Sequence, residues 1–490
     1  MKQTLETVKI MIEGVSTQQD ILLVRVSSVL DKCDHPQFFD PCYPLKTIQA
    51  ILEQRKGGRV CIRDCWVQPG SEEELVELTR GFKPGLVVVS ASSFDIHAAN
   101  KFVAGIKKLD FSPVVVGIGQ GMYLNREMRD GKDELYDAIL LGEPEEEFLV
   151  LLEQINSHSG LDAIWRKHYR QLYTAGTRLV VNNPDALPFS TYTNEEIKAH
   201  RSIFPIRKGL RVKWGYLIAG RGCPHACSFC GEVMRVSVGT KLRLRSGKSV
   251  ADEMEHLARH GVNIISFQDD SFASSPKLVR EVCGELIRRQ SVIPWMARVR
   301  CDEVDYNMLS LMKNAGCVIL GIGVETGTQR IIEQIHKTHA PKPWAELARQ
   351  TFLWTRELGI GTNAYYVIGN PTETPGEMEE TIKLALELDS DSIQVHFHTP
   401  YPGSPDWDKY RDIIADHDPT EMFHYSRPQF TLANVSVDKL MNIRARFYRR
   451  YLFRPGFILR HLWHYGIFYL LNPNILWTLL GIRKVIWGRK

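Results

Sequence analysis

Two stretches of this chain alternate short β-branched runs with amphipathic, helix-spaced segments, and few architectures accept that pattern. From residue 214 the alternation runs for six rounds. Candidate strands lie at 216–219, 263–267, 295–299, 318–323, 364–368 and 392–396, with helical stretches such as 250–260, 277–289, 306–314 and 376–388 between them. A strand that returns to the same sheet through a helix makes a parallel, right-handed crossover. Six such units predict an α/β fold with a partial (β/α)6 barrel over 211–405. Its active site is expected at the carboxyl ends of the strands.

A shorter alternation precedes it, with strands expected at 21–26, 60–64, 85–90, 113–117 and 137–141 and helices at 45–55 and 72–80. These predict a Rossmann-like, doubly wound sheet over 1–150, which takes ligands at its carboxyl edge. Residues 151–210 read as a connector broken by Asn182-Asn183-Pro184 and Leu187-Pro188, with a small hairpin near 177–181. Residues 406–490 read as a helical C-terminal region with an aromatic, basic tail. From Lys439 onward there are eleven Lys or Arg and no Asp or Glu, so the rest is net −7 although the whole chain is +4. The body therefore lacks the basic excess of a nucleic-acid binder, and no nucleic-acid partner is expected. Within the tail, 465–482 approaches membrane-spanning length but is cut by Asn472-Pro473-Asn474. Two short helices at a membrane interface are expected, with packing of the aromatics on the barrel as the alternative.

Composition fits a folded soluble protein, with 44% apolar and 24% charged residues. Ten cysteines in this length are too sparse for a disulfide scaffold. The N-terminal residues lack the apolar core of a signal peptide. A cytoplasmic protein is expected, with peripheral membrane contact through the tail.

The sharpest chemical signal follows the first barrel strand: Arg221-Gly222-Cys223-Pro224-His225-Ala226-Cys227-Ser228-Phe229-Cys230. Three thiolates in a C-x3-C-x2-C loop can grip three irons of a cubane cluster and leave the fourth open. Zinc is the alternative, but it prefers four protein ligands, and His225 lies awkwardly inside the loop. With the aromatic before its third cysteine, the motif resembles the radical S-adenosylmethionine superfamily. That resemblance implies a 4Fe-4S cluster on Cys223, Cys227 and Cys230 whose open iron chelates S-adenosylmethionine. One electron then breaks the sulfur–C5′ bond, and the 5′-deoxyadenosyl radical abstracts a substrate hydrogen. The electron would come from an external flavodoxin- or ferredoxin-type donor.

Further strand ends resemble the same family. Asp269 and Asp270 follow the second strand, where the methionine ammonium would be received. Glu325 in Gly323-Val324-Glu325-Thr326-Gly327 would accept ribose hydroxyls. Gly369 opens the turn that would meet the adenine, and Arg298 and Arg300 would reach a carboxylate or the substrate. Each fragment alone is weak; four in order at successive strand ends are strong. The resemblance spans about 210–405.

The preceding sheet resembles the cobalamin-binding subfamily, which includes carbon methylases, hopanoid methylases and the anaerobic magnesium-protoporphyrin ester cyclase. The residues that carry the likeness are Ser90 and Ser92 after the third strand, Gly117 and Gly119 after the fourth, and the acidic turn Gly142-Glu143-Pro144-Glu145-Glu146. Tyr43-Pro44-Leu45, 399–404 and 447–455 also resemble it. Cobalamin is the implied cofactor, with a sheet kept only as scaffold as the alternative. Asp95-Ile96-His97 is half of a cobalt-ligating motif, and His97 reads as an ordinary loop histidine. Cys33, Cys42, Cys61 and Cys65 lack a compact ligand loop and read as free thiols; Cys283, Cys301 and Cys317 read as packing. Tyr365, Tyr366, His396 and His398 fall at strand ends without an assigned role. The expected activity is cobalamin-dependent C-methylation of an apolar or membrane-associated substrate, a lipid or tetrapyrrole. Radical cyclisation or carbon–carbon coupling without cobalamin is the alternative, and a non-catalytic iron–sulfur carrier a third.

Overall fold

The computed structural model describes residues 19–27, 42–54, 57–122, 135–140, 142–157, 180–199, 212–231, 240–338, 340 and 342–465. Cys33, residues 177–179 of the expected hairpin and residues 466–490, with Trp477 and Trp487, lie outside the described residues.

The first unit runs β1 (Ile21–Arg25), α1 (Tyr43–Glu53), β2 (Val60–Asp64), α2 (Glu72–Phe82), β3 (Leu86–Ser90), α3 (Ile96–Ile106), β4 (Val114–Ile118), β5 (Ala138–Leu140) and α4 (Pro144–Ser157). Its strands pair in parallel in the order β2-β1-β3-β4-β5. Successive side chains of a strand point to opposite faces, and both faces here are apolar. Leu22, Val24, Val87 and Val89 pack with Phe102 and Ile106 of α3. Ile21, Leu23, Leu86 and Val88 pack with Ile48 of α1 and Phe148 of α4. Helices on both faces explain why these strands read as unbroken apolar runs. The order reverses between β1 and β3, the crevice where such sheets take ligands. In the connector, α5 (Asn194–Ala199) is tied to α1 by an ion pair, Lys46 Nζ to Glu196 Oε1 at 2.9 Å.

The second unit begins with β6 (Trp214–Leu217) and an antiparallel ribbon of β7 (Gly220–Arg221) and β8 (Arg243–Leu244). It continues through α6 (Gly247–Arg259), β9 (Ile264–Phe267), α7 (Pro276–Arg288), β10 (Trp295–Arg300), α8 (Tyr306–Asn314), β11 (Cys317–Glu325), α9 (Gln329–Gln334), α10 (Trp344–Glu357), β12 (Gly361–Ile368), α11 (Pro375–Leu388) and β13 (Ser392–Phe397). Six parallel strands in the order β13-β12-β11-β10-β9-β6 make a curled half-barrel sheet. Cys283, Cys301 and Cys317 are buried in its core. α11 opens with a capping box, Thr374 and Glu377 each satisfying the other's backbone N–H.

The C-terminal region holds α12 (Pro405–Lys409), α13 (Arg411–Ala415), α14 (Val437–Leu452) and α15 (Pro455–Tyr465). It divides the expected interfacial tail in two. Leu440, Ile443, Phe447, Tyr448 and Tyr451 form a helix-spaced stripe on α14 that sinks into the barrel core. Tyr451 donates its hydroxyl proton to Ser390 O at 2.6 Å, and Tyr448 Oη accepts from Val395 N at 3.0 Å. These aromatics are therefore packing, not interface. On α15, by contrast, Leu459 is 65% and Trp463 81% exposed. Among the described residues no helix is long and apolar enough to cross a membrane.

Candidate active site

The loop after β6 is anchored before it reaches its first cysteine. Asp269, past the end of β9, accepts from Ala219 N at 3.0 Å and Gly220 N at 2.6 Å. Burial pushes its carboxyl up to about 6 against the pull of those donors. Asp269 thus faces the backbone rather than the cavity where it was expected; its neighbour Asp270 lines the cavity. A strand-end acidic pair can present only one side chain to each side.

Cys223, Cys227 and Cys230 all line one cavity of about 410 Å³, within the half-barrel. Burial pushes the Cys223 thiol up to about 11, so a bare thiolate is disfavoured there and a bound cation would supply the missing charge. Among the described residues no three His, Cys, Asp or Glu converge as they would on a single metal ion. Three thiols opening onto one cavity could each take an iron of a cluster, whereas a single zinc prefers four protein ligands. His225 is engaged by Glu303, which also accepts from Ser271. Ser228 donates to Asp406 Oδ2 at 2.8 Å and its N–H to Ile335 O at 2.9 Å.

The opposite wall comes from β10, β11 and their neighbours. Glu325 sits in the left-handed region, φ +63°, where the register of β11 against β12 slips. A bulge beside a site re-aims a side chain, and Glu325 lines the cavity as expected. Lys337 donates to Glu325 Oε1 at 2.7 Å. Burial opposes the Lys337 charge, but Glu325 and Cys227 outweigh it and hold the ammonium above its ordinary range. Arg300 forks onto Asp302 at 2.9 and 2.7 Å and places Nη1 3.4 Å from Cys227 Sγ. Arg298 donates to Gln268 Oε1 at 2.7 Å. Gly369 takes φ +81°, but its turn closes on Glu373, and a Cβ there would meet Leu440 at 2.8 Å. Its backbone is spent on the C-terminal helix and does not line the cavity.

A third wall carries Tyr365, Gln394, His396, His424 and Tyr425. Burial brings His424 down to about 3, so it is neutral, and Tyr401 Oη lies 2.6 Å from its Nδ1. His398 is placed apart from this cavity, 3.3 Å from Asp406, and Tyr366 is core. Sequence reasoning missed Lys337, Glu303, His424 and Tyr425; Lys337, His424 and Tyr425 line the cavity from segments outside the strand-end motifs, and Glu303 bonds to Ser271 and His225.

At the N-terminal sheet the expected cofactor residues are engaged within the chain. Ser90 Oγ is 3.3 Å from Cys42 Sγ, and Ser92 donates to Asp95 Oδ2 at 2.6 Å. A Cβ on Gly117 would meet Met122 at 2.6 Å, and one on Gly119, at φ +95°, Ala91 O at 2.6 Å. Gly119 lets the loop after β4 lie directly on the loop after β3, while Gly117 leaves room for the Met122 side chain. His97 belongs to helix α3, not to a loop, with Nε2 3.6 Å from Asp418. This edge abuts the barrel's mouth: Phe94 packs edge-on against Phe423, centroids 4.7 Å apart.

Comparison with known proteins agrees with this geometry. Residues 217–385 match the model of the Radical SAM superfamily. An uncharacterized methyltransferase of Pyrococcus horikoshii is 24% identical over 80% of this chain and 84% of its own. The anaerobic magnesium-protoporphyrin IX monomethyl ester cyclase of Cereibacter sphaeroides is 26% identical over 78% of this chain, which spans 62% of that enzyme's length. In fold, the chain resembles the radical S-adenosylmethionine methyltransferase TsrM from Kitasatospora setae, solved with cobalamin and a 4Fe-4S cluster bound. The TM-score is 0.64 at 17% identity, covering 90% of each chain. Residues 217–385 of this chain thus match the Radical SAM superfamily, and most of its length is similar to methyltransferases and to the magnesium-protoporphyrin cyclase group.

Proposed function

We propose that this protein is a radical S-adenosylmethionine enzyme that methylates carbon with the help of cobalamin. The observation that carries the reading is the opening of Cys223, Cys227 and Cys230 onto one cavity that also holds Asp270, Glu325 and the His396–His424–Tyr425 wall. When bound there, a 4Fe-4S cluster supplies the electron that cleaves S-adenosylmethionine. The chain's own residues bind and orient. Asp270 suits the methionine ammonium, and Glu325, fixed by Lys337, suits ribose hydroxyls. The small residues at the carboxyl edge of the N-terminal sheet suit close approach by a corrinoid, whose contribution would be the methyl group. The abutment of that edge on the barrel's mouth supports the assignment.

The polar third wall favours a substrate with hydrogen-bonding atoms near its reacting carbon, a tetrapyrrole rather than a bare hydrocarbon lipid. We also propose peripheral contact of α15 with an anionic membrane, supported by exposed Leu459 and Trp463 beside a segment with no acidic residue. Substituting both with Glu tests it: liposome co-sedimentation should fall, and unchanged binding would sink the idea.

The primary test is anaerobic purification from cobalamin-supplied cells, with iron and cobalamin quantified. Near-stoichiometric cobalamin beside four irons, and S-adenosylhomocysteine beside 5′-deoxyadenosine in turnover, support methylation. A loaded cluster without cobalamin would point to cyclisation or coupling instead. S-adenosylmethionine neither bound nor cleaved would point to an electron carrier.

A further inference from the structure

The acidic turn after β5 and the glycine-rich loop after β4 both reach the cysteine loop, at opposite ends. At its entry, Arg221 donates from Nη2 to Glu145 Oε1 at 2.8 Å and from Nη1 to Glu145 Oε2 at 3.0 Å. Arg243, across the β7–β8 ribbon, forks onto Glu143 at 2.6 and 2.7 Å. The two arginines and two glutamates are all at least 92% buried, Glu143 and Glu145 being 1% exposed. Charges so removed from water persist only when matched, and bidentate guanidinium–carboxylate pairs also fix direction. At the exit, Gln120 Nε2 donates to Gly231 O at 2.6 Å. Gly231 packs closely against Tyr401 there: a Cβ would lie 2.4 Å from Tyr401 Cβ. Arg221 is two residues before Cys223 and Gly231 directly follows Cys230, so the ligand loop is held at both margins by one sheet.

We propose that the N-terminal sheet positions the three cysteines, with Glu145 and Gln120 as positioning residues. This rests on the reading of those cysteines as cluster ligands. The sheet is then more than a cofactor platform or an inert scaffold: its carboxyl-edge loops set where the thiols stand and what charge lies beside them. Neutralising Glu145 leaves an excess positive charge two residues from Cys223, and positive charge favours the reduced cluster. Removing the Gln120 amide frees the exit without changing charge.

The test uses the full chain, reconstituted anaerobically with iron and sulfide, as Glu145→Gln and Gln120→Ala. Arg59→Ala, which cuts the exposed Asp20 pair at the far edge of the same sheet, is the control. Read out are iron content, the electron paramagnetic resonance spectrum of the reduced cluster with and without S-adenosylmethionine, and its midpoint potential. Both variants are expected to retain iron, to show altered spectra with S-adenosylmethionine, and to bind it about tenfold more weakly. The potential should rise in Glu145→Gln, and Arg59→Ala should match the unsubstituted chain. If loss of the buried charge prevents Glu145→Gln from folding, Gln120→Ala decides alone. Full iron with unchanged spectra and affinity would overturn the proposal and leave the cluster reading intact. An unsubstituted chain that takes up no iron would overturn both.

Discussion

Asp269→Ala tests how the cysteine loop is anchored. The substitution strips the acceptors from two buried amides, Ala219 and Gly220. Each orphaned N–H costs about 1–3 kcal/mol, so about 2–6 kcal/mol together. Against this, a carboxyl lifted from 3.8 to about 6 in the fold burdens the ionised folded chain by about 3 kcal/mol at neutral pH. The net cost at pH 7.5 is therefore small, centred near 1 kcal/mol. The folded state binds the proton more tightly than the unfolded state, so wild-type stability rises as pH falls through 6 and levels off below 3.8. At pH 5 about 1 kcal/mol of the burden has gone, and Asp269→Ala should cost that much more than at pH 7.5. Urea unfolding at the two pH values, with hydrogen exchange at Gly220, measures it. A cost that is equal at both pH values, or larger at pH 7.5, would refute the claim that burial outweighs the two donors.

Substituting Cys223, Cys227 or Cys230 singly by Ala should abolish stable iron binding, while Cys283→Ala and Cys317→Ala keep the iron content of the parent; elemental analysis decides. Gly119→Ala should destabilise the N-terminal sheet by about 1–3 kcal/mol, from its left-handed backbone and the collision with Ala91, and a wild-type denaturation midpoint would count against it. His424, held neutral down to about 3, contributes stability that is full above pH 6.5 and is lost as pH falls toward 3. Acid unfolding of His424→Gln should be shallower over that window; an identical profile would show that the ring is free to ionise.

The alternation of strand and helix was readable because the strands of the N-terminal sheet, covered on both faces, are largely apolar, and the barrel strands keep apolar residues in the core. All six barrel strands fall within a few residues of their expected positions, and β2 matches outright. The β7–β8 ribbon, two residues a side, is too short to carry a periodicity. The cysteines, Asp270 and Glu325 stood out because their chemistry is written in local spacing, and the structure places them on one cavity. Asp269, Gly369, Ser90 and Ser92 are engaged by partners within the chain, because a short polar or glycine residue at a strand end serves a turn as readily as a ligand. Glu145 and Arg221 each stood in a motif that the sequence displayed, but their pairing gave no local sign, because it joins positions 76 apart. The aromatic tail was ambiguous until α14 found a core to fill.

The Ser228–Asp406 bond joins residues 178 positions apart, and with Glu145–Arg221 it gives the cysteine loop partners in two separate parts of the chain. During synthesis, domains fold as their residues emerge. Here the thiols leave the ribosome long before Asp406 does, so the contacts to the N-terminal sheet can form early while the Ser228–Asp406 bond forms late in translation. Full enclosure of the loop therefore waits for the chain beyond residue 405, when Ser228 meets Asp406.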